Sequence, residues 1–444
     1  MIAEAVYLFR HALLRDAAYQ LQLPGERARL HALAYAILEA SPGGAFPEAE
    51  LDAWGQRIYV GHPGDYSAAQ MAEHARLARQ TPGGDTAEMR RAELRCLWRG
   101  ASFAQRRHQH GEAARLFEAA AGQVAESEAG RAEDLLLAGQ VHQRAGRPDA
   151  AARLLEQSAK TARACRSPHL EGHALLNLGL ALHNLGQVKE ARAVYGKTLK
   201  LQRKLRDRQG EAFALNNLGN LFRETDRLPE AESMFRECVA IHRERGEDRN
   251  EGIALGNLAI VLAETGRNAE AETAYRESLA IHRRVGNRRQ EGVVLGNFMR
   301  VLQALGRLEE AREAGTEAVA IHREVANLRS EGVALGNLGY VLLALGRADE
   351  ASGLYERALA IHDDVLNTRF AGSHRCGLAL VWIAKGLASK ARVLWREGIA
   401  ILRGLGDAAD VEDKRRAMRE ACARAGIPAF EDPQRGAAET PRPS

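Results

Sequence analysis

An asparagine recurs every forty residues, at Asn177, Asn217, Asn257, Asn297 and Asn337. A primary amide both donates and accepts, so a ladder of them can pair with the backbone of an extended peptide whatever its side chains. The other use for such a column is structural, with each amide bonding a neighbouring helix. Histidine recurs as well, at His242, His282, His322 and His362. Zinc needs its nitrogens within about 2.1 Å. Equivalent positions on stacked helices stand about 10 Å apart, which argues against a shared metal. A histidine in the last turn of a helix is expected instead to complement the negative helix end. His108 and His110 read as a solvated pair.

Catalytic patterns are weak. Gly196-Lys197-Thr198 looks like the end of a phosphate-binding loop, but the position five before Gly196 is Ala191 and no strand precedes it. Asp363 and Asp364 are adjacent and point to different faces of a helix. Five cysteines at 96, 165, 238, 376 and 422 have neither zinc nor disulfide spacing, which favours a reducing compartment. No Ser/His/Asp or Cys/His set has local support. The expectation is a binding protein without catalysis and without a cofactor.

The elements that carry these columns repeat with the same period. Glu251-Gly252-Ile253-Ala254-Leu255-Gly256-Asn257-Leu258 returns forty residues later at Glu291–Phe298 and again at Glu331–Leu338. A fixed period of this size marks a repeat architecture. Leu255, Leu258 and Leu262, with Leu295, Phe298 and Leu302 in the next row, make one apolar stripe on a first helix, A. On a second helix, B, one column reads Ala191, Ala231, Ala271, Ala311, Ala351 and Ala391. Four residues on stand Tyr195, Phe235, Tyr275, Gly315, Tyr355 and Trp395. The alanines permit close approach and the aromatics plug the gap, except at Gly315, where Met299 is positioned to repack. Glycines 186, 266, 306, 346 and 386 mark the A–B turns, with Asp226 in the sixth, and Gly246 and Gly286 read as C-caps of B.

Leu-x-x-Leu-Gly, a turn glycine, then Ala-x-x-x-aromatic-x-x-small resembles the tetratricopeptide repeat. The longer unit is similar to the variant in kinesin light chains and Pins-type polarity adaptors. The resemblance is strong over 172–410 and implies an all-α, right-handed α-solenoid of about eight helix pairs over 86–410. It also implies that helix A lines a concave groove and that the asparagines hold a ligand peptide there. The flanking groove positions are then Asn216, Asn220, Arg223, Arg300 and Tyr340. The two arginines suit a partner with acidic residues, or pair with Glu224 and Glu264. Gly256, Gly296 and Gly336 each cost roughly 1 kcal/mol in a helix interior, so either helices touch there or a ligand backbone does. The last pair departs from the pattern at Arg375, Gly377, Trp382 and Trp395, as a terminal repeat does. A capping helix is expected over 411–426 and a polar tail over 427–444.

Residues 1–84 lie outside the repeat and read as helices over Tyr7–Ala17, Glu26–Ala40 (Leu30, Leu33, Ala34, Ile37 and Leu38 inward) and Ala68–Gln80. Tyr7–Tyr19, Arg27-Ala28-Arg29-Leu30-His31 and Ala72-Glu73-His74 resemble the helical end of the STAND/AAA ATPase module of bacterial signalling proteins. That resemblance implies a second reading, the sensory or regulatory C-terminal region of a signalling ATPase, kinase or nucleotide cyclase.

Bulk properties agree with a helical repeat protein. Of 444 residues, 5% are aromatic and 27% charged, with a formal net charge of +4. Arginine alternates with glutamate in nearly every row, a solvated, ion-paired surface rather than a phosphate-tracking stripe, so nucleic acid is not the expected partner. No stretch approaches the roughly 20 apolar residues of a membrane helix, and the start has no signal-peptide pattern. The expectation is a cytoplasmic adaptor that binds a protein or peptide in its groove.

Overall fold

The computed structural model describes residues 23–40, 45–52, 56–80, 84–123 and 128–430. The expected helix at Tyr7–Ala17, the Tyr7–Tyr19 motif and the tail beyond 430 lie outside the described residues. Among those described, nineteen helices and one two-stranded hairpin account for nearly all regular structure. The chain forms two compact units, residues 1–221 and 222–444.

The first unit opens with α1 (Pro24–Glu39), the hairpin β1 (Glu50–Leu51) and β2 (Arg57–Ile58), a 3₁₀ turn (Pro63–Ser67) and α2 (Ala68–Ala78). The hairpin was not anticipated. Helices α3 (Ala87–Arg106), α4 (His110–Gly122), α5 (Glu128–Arg144), α6 (Pro148–Ala164), α7 (Pro168–Asn184) and α8 (Val188–Leu205) follow, and α9 (Arg208–Glu224) reaches the unit boundary. Tyr35, Phe46, Met71, Trp98 and Phe117 share one core. Two buried arginines tie the opening segment to the helices behind it. Arg99 meets Asp65 at 2.7 Å, with both side chains almost fully buried, and Arg57 of β2 reaches Glu133 at 2.9 Å and Asp134 beside it. Burial nevertheless pushes the Asp134 carboxyl up to about 6, against the pull of Arg57.

One expectation fails in α1. Leu30, Leu33 and Ile37 are 46%, 56% and 59% exposed. The buried stripe is instead Ala28 and Tyr35, with Leu38 half-buried beside them. The large Tyr35 ring fills the space between Phe46 and Met71, and its burial decides which face turns inward.

The second unit holds α10 (Leu228–Glu244), α11 (Asp248–Glu264), α12 (Asn268–Arg284), α13 (Arg288–Ala304), α14 (Leu308–Glu324), α15 (Leu328–Ala344), α16 (Ala348–Asp364), α17 (Thr368–Ala384) and α18 (Ala388–Gly404). It is closed by α19 (Ala408–Ala425). In sequence order α3 to α18 are eight A-then-B pairs. From α10 to α18 every helix has 17 residues.

That uniformity has a local cause. From Gly146 to Gly426 the chain enters the left-handed region once every twenty residues, at A–B and B–A turns alike. At Gly266 (φ 77°) the amide of Gly266 bonds to the Ala263 carbonyl at 3.0 Å. The next amide, Arg267, reaches back to Leu262 at 2.9 Å. This closes the helix C-terminus with its orphan carbonyls satisfied. Asp226, Ala326 and Leu366 adopt the same geometry without being glycine (φ 57°, 51° and 51°).

Packing follows the predicted columns. Ala231, Ala271, Ala311, Ala351 and Ala391 are wholly buried, and Phe235, Tyr275, Tyr355 and Trp395 are nearly so. A Cβ on Gly339 would stand 2.9 Å from the Tyr355 ring, so helix A yields its side chain to the aromatic of helix B. In α13/α14 the sizes are exchanged: Met299 of A is fully buried, and a Cβ on Gly315 of B would meet its sulfur at 2.5 Å. The repacking expected of Met299 occurs.

Successive pairs are stapled by ion pairs. Arg243 of α10 reaches Glu251 of α11 and Glu277 of α12, and Arg283 of α12 reaches Glu291 of α13 and Glu317 of α14. Arg323 repeats the first contact with Glu331 at 2.8 Å. Glu251, Glu291 and Glu331 sit buried in the first turn of an A helix, where the helix dipole favours negative charge.

Leu366 is 83% exposed and gains nothing from its side chain while paying for a left-handed backbone. Leu366→Gly is expected to stabilise the protein by about 1 kcal/mol, read as a rise in denaturation midpoint. Gly266→Val should lower it. A fall with Leu366→Gly would contradict this account of the turns.

Candidate functional site

The A helices of successive pairs approach one another directly, α11 to α13, α13 to α15 and α15 to α17, and their facing surfaces make the inner side of the second unit. The amide column lies on that side. Asn257, Asn297 and Asn337 are half-buried on α11, α13 and α15. Asn297 and Asn337 have no hydrogen-bond partner among the described residues. In the first unit the amides are partly engaged. Asn177 donates to the His173 carbonyl at 2.8 Å, and Asn217 donates to Phe213 at 3.0 Å. Each is a bond to the preceding turn of its own helix, not to a neighbouring one, and each leaves the side-chain oxygen able to accept. Asn216 and Asn220 are half-buried on the same stretch of α9.

The two arginines separate. Arg223 is neutralised by Glu264 at 3.1 Å. Arg300 is exposed on α13 and makes no ion pair among the described residues. It lies between two recesses. One of about 320 Å³ is lined by Ile260, Glu264, Tyr275, Asn297, Arg300 and Gln303. The other, of about 400 Å³, is lined by Arg300, Gln303, Asn337 and Tyr340, by Phe370, Ser373 and His374 of α17, and by polar residues of α19. The structure therefore gathers Asn297, Arg300, Asn337 and Tyr340 around one stretch of the inner face. Sequence reasoning missed Gln303 and the walls from α17 and α19. Gln303 stood in the column of Ala263 and Leu343 and could have been found there. The position of α19 had no signal in the repeat, because α19 is not part of one.

The three groove glycines have three different explanations. A Cβ on Gly336 would lie 2.1 Å from the His374 ring, so there a helix contact demands glycine. A Cβ on Gly256 would make ordinary contact with Val294 at 3.5 Å. Around Gly296 nothing lies within 4 Å. The fold has no steric need for glycine at 296, and the position is an open notch beside Asn297.

His282, His322 and His362 do not serve the helix ends as charge. His242, His282, His322 and His362 are almost wholly buried, and each of the last three presses against a glycine at the start of its own A helix (Gly252, Gly292, Gly332), leaving no room for a Cβ. Burial pushes the pKa of His282, His322 and His362 down, so they pack as neutral rings. His374 is pushed to about 3 by burial and by the neighbouring His362, whose Nε2 lies 3.0 Å from its Nδ1. No group of three metal-ligating side chains meets among the described residues. Gly196-Lys197-Thr198 lies inside α8, so its amides are spent on the helix and cannot cradle a phosphate. Burial pushes the thiols of Cys96, Cys238 and Cys376 up to about 12, which keeps them from acting as nucleophiles near neutral pH. What remains on the inner face among the described residues is hydrogen-bonding capacity, the Arg300 guanidinium and shallow recesses, an arrangement suited to binding. No described helix is long and apolar enough to cross a membrane.

Tetratricopeptide repeat family models match residues 171–244, 250–324 and 295–364, and a second such model matches 136–204. No curated protein matches the whole-chain sequence. Among solved structures, the chain is similar to a signal-transduction ATPase with numerous domains carrying a tetratricopeptide repeat sensor, from Pyrococcus horikoshii. Identity is 15% over 91% of this chain and 67% of that one, with a TM-score of 0.58. It is also similar to the apo quorum sensor NprR from B. thuringiensis (14%, covering 77% and 96%, TM-score 0.53). A kinesin light chain of nearly identical repeats from Podosopora anserina aligns at 22% over 45% of this chain and 99% of that one, with a TM-score of 0.40.

Two outcomes follow from the glycines and histidines. Gly296→Ala is expected to stabilise the fold by about 1 kcal/mol, whereas Gly336→Ala should destabilise it, both read by denaturant midpoint. Equal shifts would show that the contact with His374 does not matter. The second concerns acid. A histidine whose native pKa is depressed takes up a proton only on unfolding, so the unfolded state binds more protons below about pH 6.5 and stability falls as pH drops through that value. His374 extends this loss down to about pH 3. His374→Ala restores the residue found at Ala254 and Ala334 and should show a smaller fall in melting temperature between pH 7 and pH 4 (~7 and ~4 bracketing the titration) than wild type. An unchanged slope would refute the assignment.

Proposed function

We propose, for a chain that belongs to the tetratricopeptide repeat family, that it is a non-catalytic, cytoplasmic interaction protein whose A-helix groove holds an extended segment of a protein partner. The observation that carries this reading is the exposed stretch of α13 and α15, where two half-buried amides without partners flank an arginine without a counter-ion. Many arginines of this array have an acid, as Arg223, Arg243, Arg267, Arg283 and Arg307 do. A lone guanidinium on the inner face suits a carboxylate from outside, bound bidentately. The amides supply backbone recognition that tolerates varied side chains. The notch at Gly296 lets a peptide backbone approach closely, which gives that helix-weakening glycine a use. Asn177, Asn216, Asn217 and Asn220 are the corresponding positions in the first unit, with Asn257 and Arg223 beside the first recess of the second.

A second reading has its own support. The motif residues His31 and His74, on α1 and α2, lie with their Nδ1 atoms 2.7 Å apart, so two of the helices that carry the resemblance to the end of an ATPase module meet. One structural neighbour is named as a signalling ATPase with a repeat sensor. In this reading the same groove is the sensing surface of a regulated enzyme. An ATPase, kinase or cyclase reading frame directly upstream would favour it.

The test is retention of a partner from host lysate by the purified protein, against Asn297→Ala/Arg300→Ala/Asn337→Ala, with circular dichroism confirming that both are helical. Loss of charge-assisted hydrogen bonds is expected to weaken retention by about ten-fold or more. A partner held equally by both proteins would place the function elsewhere.

A further inference from the structure

Away from the inner face, ion pairs cross the first two slots between B helices of the second unit, two pairs to each. Between α10 and α12, Arg243 reaches Glu277 at 2.5 Å, and Arg267, at the head of α12, reaches Glu232 at 2.8 Å. Between α12 and α14, Arg283 reaches Glu317 at 2.8 Å, and Arg307 reaches Glu272 at 2.7 Å. Between α14 and α16 both arginines return, as Arg323 and Arg347, but both glutamates are replaced. Arg357 stands in the column of Glu317, and Arg312 in that of Glu272. Arg323 keeps Glu331, and Arg347 keeps Glu350 beside it on α16. Among the described residues no ion pair crosses this slot.

The recess in that slot, of about 530 Å³, is walled by Arg312, Arg323, Arg347 and Arg357 against one carboxylate, Glu350. Val319, Leu335, Leu338 and Leu342 make its floor. Two slots earlier the corresponding recess, of about 400 Å³, has Val239, Leu255, Leu258 and Leu262 beneath two arginines and two glutamates, Arg236, Arg243, Glu270 and Glu277. The floor is kept while the walls turn positive. Arg312 is held by Glu309 of its own helix at 2.6 Å, and Arg357 has no ion pair among the described residues. Guanidiniums gathered on one recess repel unless an anion lies among them.

We propose that the slot between α14 and α16 is a second binding surface, for an acidic segment of a partner protein. Carboxylates of that segment take the two places that Glu272 and Glu317 hold one slot earlier, one against Arg347 and Arg312, the other against Arg323 and Arg357. An apolar side chain of the same segment meets the leucine floor. The neighbouring slots show what fits: a carboxylate in either place meets its arginine at 2.5 to 2.8 Å, within reach of a charge-assisted hydrogen bond. Arg323 and Arg347 are the unchanged members of those pairs, so they stand where a carboxylate is expected and the array no longer supplies one. The surface is built on B helices, and none of its four arginines lines the recesses beside Arg300, so it does not rest on the groove reading.

The test uses the full chain at an ionic strength of about 0.1 M and a fluorescein-labelled peptide of glutamates interrupted by leucines, followed by anisotropy. The same peptide with glutamine for glutamate is the control, and inorganic phosphate is the competing small anion. Wild type should hold the glutamate peptide about ten-fold more tightly than the glutamine one, or better. Arg312→Glu with Arg357→Glu rebuilds the wall found one slot earlier. It should raise the denaturation midpoint, by restoring both cross-links, and weaken the glutamate peptide by about ten-fold or more. Arg312→Gln with Arg357→Gln, which brings in no new charge, should weaken it as well. Asn297→Ala/Arg300→Ala/Asn337→Ala should leave this affinity unchanged. No preference for glutamate in wild type, undiminished binding in either arginine pair variant, or binding lost in the groove variant instead would overturn the inference. So would a lower midpoint for Arg312→Glu with Arg357→Glu, because the places assigned to the carboxylates would then be wrong. Displacement of the peptide by inorganic phosphate at matched charge would also overturn it, making the slot a small-anion site.

Discussion

Every helix of the regular array is stopped by a residue in the left-handed conformation, placed once in twenty residues from Gly146 to Gly426. The rest of the structure depends on that spacing. Helices of equal length joined by equal turns return each column to the same height, so alanine meets aromatic and arginine meets glutamate in row after row. Losing one residue from a helix would rotate everything after it by about 100° and turn the stripe away from its partner. The chain tolerates Ala326 and Leu366 at these positions, at a backbone cost, because the packed helices on both sides leave the turn no alternative.

Within this frame, contact is made by exchanging volume between facing positions. Glycine in A admits tyrosine in B at Gly339 and Tyr355, and methionine in A fills the place over glycine in B at Met299 and Gly315. The buried histidines follow the same logic at the other end of the pair, filling the space over Gly252, Gly292 and Gly332 as neutral rings. A column that looks like chemistry on paper is here a packing device, because each of these rings is buried against a glycine of its own pair.

The groove differs from the core in what is left over. Many charges of the array find partners inside the fold, as the Arg243–Glu251 and Arg283–Glu291 staples show. On the inner face of α13 and α15 an amide pair, a guanidinium and a glycine are left without an internal use.

The sequence by itself determined the repeat, its period, the two helices of each pair, the alanine and aromatic columns and the amide column, because all are local periodicities that a single chain displays without being folded. It also indicated Arg300 and Tyr340 as groove residues. Tertiary structure decided what periodicity cannot. Arg223 found Glu264 while Arg300 found nothing, since pairing depends on which side chains arrive opposite one another across forty residues of intervening chain. Gly336 is required by a histidine on the next A helix and Gly296 by nothing among the described residues, though both stand in the same Leu-Gly-Asn triplet. The inward face of α1 was set by one tyrosine fitting one space. The wall that α19 adds to the larger recess came from where the cap docks, a placement fixed by the last repeat's core and written in no repeating pattern.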